Sequence, residues 1–245
     1  MSSFVQKLKK IIIETSQNQN ENEIIVYLDM DGVLADFHGM KVKIINELYR
    51  DDFLKIVEKS NLNEKEKQTF LDELSLSGRD SSLLDSKGNY KVSKTKIKSA
   101  ESLFWKIINK INFFENLEPL HDNQLIKKIS GLKSQYNFKL GILGSTGSQE
   151  SYHNFKQQKI NWLKYQEIYN LLDEKYVKFV PGKKYKSNFA YYNTILIDDT
   201  PINCQNFRNS GGNSILFLNI NDTLNKLENI LKEITLHHSH QKANS

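Results

Sequence analysis

The chain of 245 residues has a single cysteine, Cys204. One thiol excludes an internal disulfide and any zinc site built on cysteine, fits a reducing cytoplasm, and is itself expected to be buried and idle. Long hydrophobic runs are also missing. No apolar stretch approaches the roughly 18 to 20 residues needed to cross a bilayer, so a soluble protein with no membrane partner is expected. There is no internal repeat and no extended low-complexity tract. A strong charge bias is absent too. The formal charge is +5 and the pI about 9.0, but acids and bases interleave along most of the chain, so nucleic acid is the weaker expectation for a partner.

What is present is a globular composition, 38% hydrophobic and 26% charged, and a length that fits one domain carrying an insertion, or two unequal domains, better than three. The opening MSSFVQKLKKIIIETS places Phe4, Leu8, Ile11 and Ile12 on one helical face, with an apolar core too short for a signal peptide. Residues 1–23 therefore read as a docked amphipathic helix and a polar linker. From there, strand candidates recur at 24–29 (IIVYLD), 138–144 (FKLGILG), 176–180 (YVKFV), 194–198 (TILID) and 214–218 (SILFL). They are near-continuous apolar runs, as in strands of a parallel sheet covered on both faces, and helical patterns separate the later ones. The expected fold is α/β, a doubly wound parallel five-stranded sheet, with its core at 24–37 and 115–236. Residues 38–114 break the βα rhythm and read as an inserted helical cap. Within it KVSKTKIK carries four lysines and no acid, and reads as a solvated loop or a face toward an anionic substrate. The last residues, 237–245, lose periodicity and read as a disordered tail.

In doubly wound sheets ligands bind at the carboxyl ends of strands. Here the first strand ends in VYLDMDGVLADF, with Asp29 and Asp31; the second ends in Ser145 and Thr146; the fourth ends in Asp198 and Asp199. Four carboxylates in a small volume repel one another and must lose charge or share a cation. A hard divalent ion, Mg2+, takes oxygen ligands of this kind together with a substrate phosphate. Ser145 and Thr146, with nearby backbone amides, form a phosphate cradle in this reading. The segment VPGKKYKSNFA offers Lys183, Lys184 and Lys186 as the balancing cation, with Lys186 favoured by its place before the fourth strand. Gly32 permits the tight turn that exposes Asp31.

The motifs DMDGVLADF, ILGST, a lysine before TILIDD, and their order along the chain resemble the haloacid dehalogenase (HAD) superfamily of phosphatases. Within it, DMDGVLADF and NFFENLEPL are similar to segments of the 5'(3')-deoxyribonucleotidases. The chain reads Ser, Thr, Gly at 145–147 where those enzymes usually read Thr, Ser, Pro, and the cap offers little to match. The resemblance implies Asp29 as the nucleophile forming an aspartyl phosphate, and Asp31 as general acid and base with its carbonyl on the metal. It further implies Ser145 and Lys186 on the phosphoryl oxygens, Asp198 and Asp199 on the metal with Asp199 favoured as the direct ligand, and Phe37 against the base. Phe37 reads equally well as cap packing with Phe104, Trp105, Phe113 and Phe114. The implied substrate is a small phosphomonoester, a nucleoside monophosphate and more specifically a deoxyribonucleotide. Alternatives are another phosphomonoester, such as a sugar phosphate or a nucleic acid 3' phosphate, or a binding protein of the same fold without turnover.

Overall fold

A computed structural model describes residues 23–44, 48, 50–59, 63–64, 98–147 and 151–243. The expected amino-terminal helix and its linker up to Asn22, and residues 65–97 of the expected cap with most of KVSKTKIK, lie outside the described residues.

In chain order the elements are strand β1 (Ile24–Leu28), helices α1 (Phe37–Lys43), α2 (Arg50–Glu58), α3 (Lys98–Ile108), α4 (Gln124–Gly131) and α5 (Lys133–Tyr136), strand β2 (Phe138–Ser145), helix α6 (Tyr152–Tyr165), strands β3 (Val177–Val180) and β4 (Thr194–Asp198), helix α7 (Pro201–Asn209), strand β5 (Asn213–Leu216) and helix α8 (Ile220–Ala243). The five strands form one sheet in the order β3-β2-β1-β4-β5, and every pairing is parallel. This is the doubly wound α/β sheet that the apolar runs predict. Successive strand side chains point to opposite faces, so the fully buried β1 and β4 must be covered on both.

On one face Ile25 and Tyr27 of β1, Leu143 of β2, Val180 of β3 and Leu196 of β4 pack with Phe189, Ala190 and Phe207, the last from α7. The Tyr27 ring meets Tyr176 and Phe189 edge-on, with centroids 6.4 and 6.2 Å away. Gly141 of β2 lets the Tyr176 backbone approach where any Cβ would overlap it. The alternate residues Val26, Leu28, Leu140, Ile142, Ile195 and Ile197 are buried on the opposite face. There α4 supplies buried Leu125, Ile126 and Ile129, and α8, which packs against α4 and α5, supplies Leu227 and Leu231. Each such side chain removed from water stabilises the fold by about 1.5–3 kcal/mol.

The chain divides into two compact units, one running to Leu34 and resuming at Leu120, the other from Ala35 to Pro119. The second is wider than the expected insertion of 38–114. Its ends are tied together by an antiparallel bridge between Ala35 and Pro119 and by the Asp36 amide donating to the Glu118 carbonyl at 2.8 Å. Those contacts carry Phe37 and the segment up to Pro119 into that unit. A second difference lies at the carboxyl end, where α8 continues to Ala243 through His237, His238 and His240. HHSHQKA contains neither proline nor glycine to stop a helix, so the helical backbone runs on past the last apolar residue of the stripe.

Candidate active site

Strand β1 delivers Asp29 to the carboxyl edge of the sheet. The Asp29 amide still donates to the Ile197 carbonyl at 2.8 Å, so its backbone is held to β4, and the residue is 5% exposed. The Lys186 ammonium lies 2.8 Å from Asp29 Oδ2 and 2.7 Å from Asp198 Oδ2. Lys186 comes from a 3-10 turn over Lys183–Phe189 and is itself buried. Of the three candidate lysines, Lys186 alone reaches the carboxylates; Lys183 and Lys184 are exposed.

A buried carboxylate needs compensation, and the site provides it unevenly. Burial pushes the Asp29 carboxyl up to about 7, Lys186 opposes that rise, and Asp198, Asp31 and Asp199 add to it. Burial alone would favour a neutral Lys186, but Asp198 and Asp29 outweigh it and hold the ammonium well above the usual lysine range. Asp198 is saturated with donors. Besides Lys186, it accepts from the Thr200 amide at 2.9 Å and from Asn203 Nδ2 at 2.9 and 3.1 Å. Thr200 precedes Pro201, the first residue of α7, so the start of that helix fixes the carboxylate. Asp199, half-buried, stands over Gly32 so closely that a Cβ there would overlap its carboxylate, and Gly32 has φ +76°, which glycine adopts without strain.

One oxygen from each of Asp29, Asp198 and Asp199 lies within 4.8 Å of the others. A convergent set of hard oxygen donors is the chemistry a divalent cation such as Mg2+ takes, and the residues present fit such an ion.

Asp31 has a partner that the sequence reading missed. The Lys159 ammonium of α6 lies 2.6 Å from Asp31 Oδ2, with the lysine side chain fully buried and that of Asp31 24% exposed. Asp31 Oδ1 is buried and receives no hydrogen bond among the described residues. On α6, Phe155, Lys159 and Trp162 are all buried and recur at the i, i+4, i+7 spacing of one helical face. A lysine on an apolar stripe was the available signal.

The hydroxyl pair ending β2 separates. Ser145 Oγ accepts from the Gly147 amide at 3.2 Å. Thr146 is turned into the sheet, its amide and hydroxyl both donating to the Val180 carbonyl at 2.9 and 3.3 Å. Phe37 belongs to the second unit and sits in an aromatic cluster, with centroids 6.1 Å from Phe104, 5.3 Å from Phe113 and 6.2 Å from Phe114. Cys204 is buried, its thiol 3.6 Å from the Asp198 and Ile215 carbonyls; burial pushes it up to about 12, which leaves it protonated and unreactive.

Fold and site together define a class: a parallel α/β protein with a carboxylate–lysine cluster at the carboxyl edge of its sheet. Solved structures similar to this chain include HAD-superfamily hydrolases. A HAD family hydrolase from Deinococcus radiodurans R1, with bound phosphate and sodium, has 10% identity and a TM-score of 0.40 over 80% of each chain. A HAD-superfamily hydrolase from Ehrlichia chaffeensis has 12% identity and a TM-score of 0.39 over 85% of this chain and 97% of its own. L-2-haloacid dehalogenase from Xanthobacter autotrophicus has 12% identity and a TM-score of 0.40 over 78% of this chain and 76% of its own. No protein-family model and no curated protein matches the sequence.

Proposed function

We propose that this chain is a HAD-type phosphomonoesterase that requires Mg2+ and hydrolyses nucleoside monophosphates, deoxyribonucleotides above all, through a phosphoryl group carried on Asp29. The observation that carries the reading is the buried triangle of Asp29, Lys186 and Asp198 beside Asp199 at the end of β1. Asp29 attacks phosphorus as the bond to the leaving oxygen breaks, and Asp31 gives that oxygen its proton. Asp31 then takes a proton from the water that attacks phosphorus and frees Asp29. Asp31 Oδ1, which receives no hydrogen bond among the described residues, leaves the carboxyl group free to carry a proton. Lys159 holds the other oxygen and fixes the orientation of the carboxyl group.

Lys186 offsets charge on Asp29 and on the phosphoryl oxygens, and Ser145 would bind those oxygens through its hydroxyl. Thr146, engaged with Val180, serves the cradle through the turn it shapes. Asp29, Asp199 and the Asp31 carbonyl would hold Mg2+, with Asp198, already occupied by four donor contacts, orienting Lys186 and the loop. When bound, the ion supplies neutralisation of the charge that gathers on the transferring group. The nucleotide preference rests on the likeness of DMDGVLADF and NFFENLEPL to the deoxyribonucleotidases.

The test is phosphate release with Mg2+ from a panel of deoxyribonucleoside and ribonucleoside 5' and 3' monophosphates and sugar phosphates, with Asp29→Asn beside the native chain. Preferential turnover of deoxyribonucleotides, lost in Asp29→Asn, is the expected result. Turnover of sugar phosphates in their place would overturn the substrate, and release undiminished in Asp29→Asn would overturn the mechanism.

A further inference from the structure

A second feature of the first unit lies outside the carboxylate cluster, along the edge of the sheet. Strand β3 is the last strand on its side. Lys175 leads into it, Lys178 lies on it, and Lys156 approaches from α6, whose first turn is held to β3 by the Tyr152 hydroxyl donating to the Phe179 carbonyl at 3.0 Å. The Lys156 ammonium sits 5.9 Å over the Tyr152 ring and that of Lys175 5.2 Å over Tyr176. Just past the strand come Lys183 and Lys184, the latter 5.1 Å over Tyr185. Among the described residues none of these lysines meets a carboxylate.

Three acids lie nearby, and each has another partner: Asp173 pairs with Lys133 at 2.8 Å and with Lys139 at 3.8 Å, Glu23 accepts from the Tyr176 hydroxyl and Glu174 from the Tyr169 hydroxyl. Lysines therefore outnumber acids along this edge. Burial above all, with Lys156 and Lys175 nearby, holds the Lys178 ammonium below the usual lysine range. At about 3.3 Å per residue, the strand carries the chain about 10 Å from the Lys175 and Lys178 end toward Lys183 and Lys184. That is longer than one phosphate group, and Lys183 and Lys184, past its end, stand three and two residues before Lys186 of the carboxylate cluster.

We propose that the lysine-lined edge of β3 is a docking track for the phosphate backbone of single-stranded nucleic acid, which it leads toward the Asp29 and Lys186 cluster. The occupant follows from charge and length. A row of unpaired cations matches a repeating anion, and a single strand is flexible enough to bring a terminal phosphate to the end of the track. Tyr152 and Tyr176 are buried beneath the lysines and offer no open ring to a base, so the recognition is electrostatic and indifferent to sequence. This goes beyond the hydrolysis proposed above, and binding is read without turnover, so either idea can fail alone.

The experiment is fluorescence anisotropy of a labelled single-stranded 20-mer with the full-length protein between about 50 and 300 mM salt, repeated with K156Q/K175Q/K178Q. Circular dichroism and hydrolysis of p-nitrophenyl phosphate are followed to confirm an intact fold and site. The native protein is expected to bind, with an affinity falling steeply as salt rises. The variant is expected to bind at least tenfold more weakly, its salt slope smaller by about 2, since each neutralised phosphate of a single strand contributes about 0.7. No binding at 50 mM salt, or equal binding and slope in the variant, overturns the proposal. Stronger binding to vesicles of anionic phospholipid than to the 20-mer would also overturn it. Self-association of the variant with unchanged binding would assign the lysines to guarding a sheet edge instead.

Discussion

Lys159 is the residue whose role the three-dimensional arrangement changes most. Its partner Asp31 is 128 positions away, and no local pattern reports a pairing of that range. Asp29, Asp31, Asp198 and Asp199 announce themselves because each closes an apolar run, and acids do not close such runs at random. Lys186 was readable from its distance before β4. Thr146 misled because adjacent residues at a strand end face opposite ways, so of two neighbouring hydroxyls only one can look toward a ligand. Lys159→Met keeps the length of the side chain and removes its charge. It is expected to slow phosphate release by about tenfold, part of what a positioned acid–base group contributes. It should also cost about 3 kcal/mol of stability, the lower end for a broken buried pair because Asp31 is partly exposed. Single-turnover kinetics and urea unfolding read the two effects separately.

At the scale of elements, β1 to β5 were legible within two residues at each end, because buried parallel strands are the longest apolar runs in an otherwise polar chain. Helix ends and unit boundaries were less so. The entry to the second unit depends on a bridge between Ala35 and Pro119, far apart in sequence, and the end of α8 depends on the absence of a stop signal. Helix α6 joins packing to chemistry, since the stripe that buries Trp162 also aims Lys159. Trp162→Ala is expected to cost about 3–5 kcal/mol through the cavity it leaves, read as a lower urea midpoint. Phosphate release should fall with it under conditions where the chain is still folded, since Lys159 lies on the same face.

For the whole molecule, the raised Asp29 carboxyl ties pH to cation binding. Its folded value, about 7 against an ordinary 3.8, means that the proton is held up to neutrality and competes with any cation for the same oxygens. Below pH 7 the protonated form prevails and a divalent ion must displace the proton; above it the carboxylate is ready. The rise in melting temperature given by 5 mM Mg2+ is therefore expected to be larger at pH 8 than at pH 6, and to shrink at both in Asp199→Asn. Equal shifts at both pH values would detach the cation from Asp29. The strand order holds a different consequence, for synthesis. The central strand β1 is made first, yet its neighbours β2 and β4 begin only at Phe138 and Thr194. At ~5–20 residues per second, the apolar run IIVYL waits on the order of ten seconds for its first partner as it leaves the ribosome, so this chain is an expected client of holding chaperones until residue 145 has emerged.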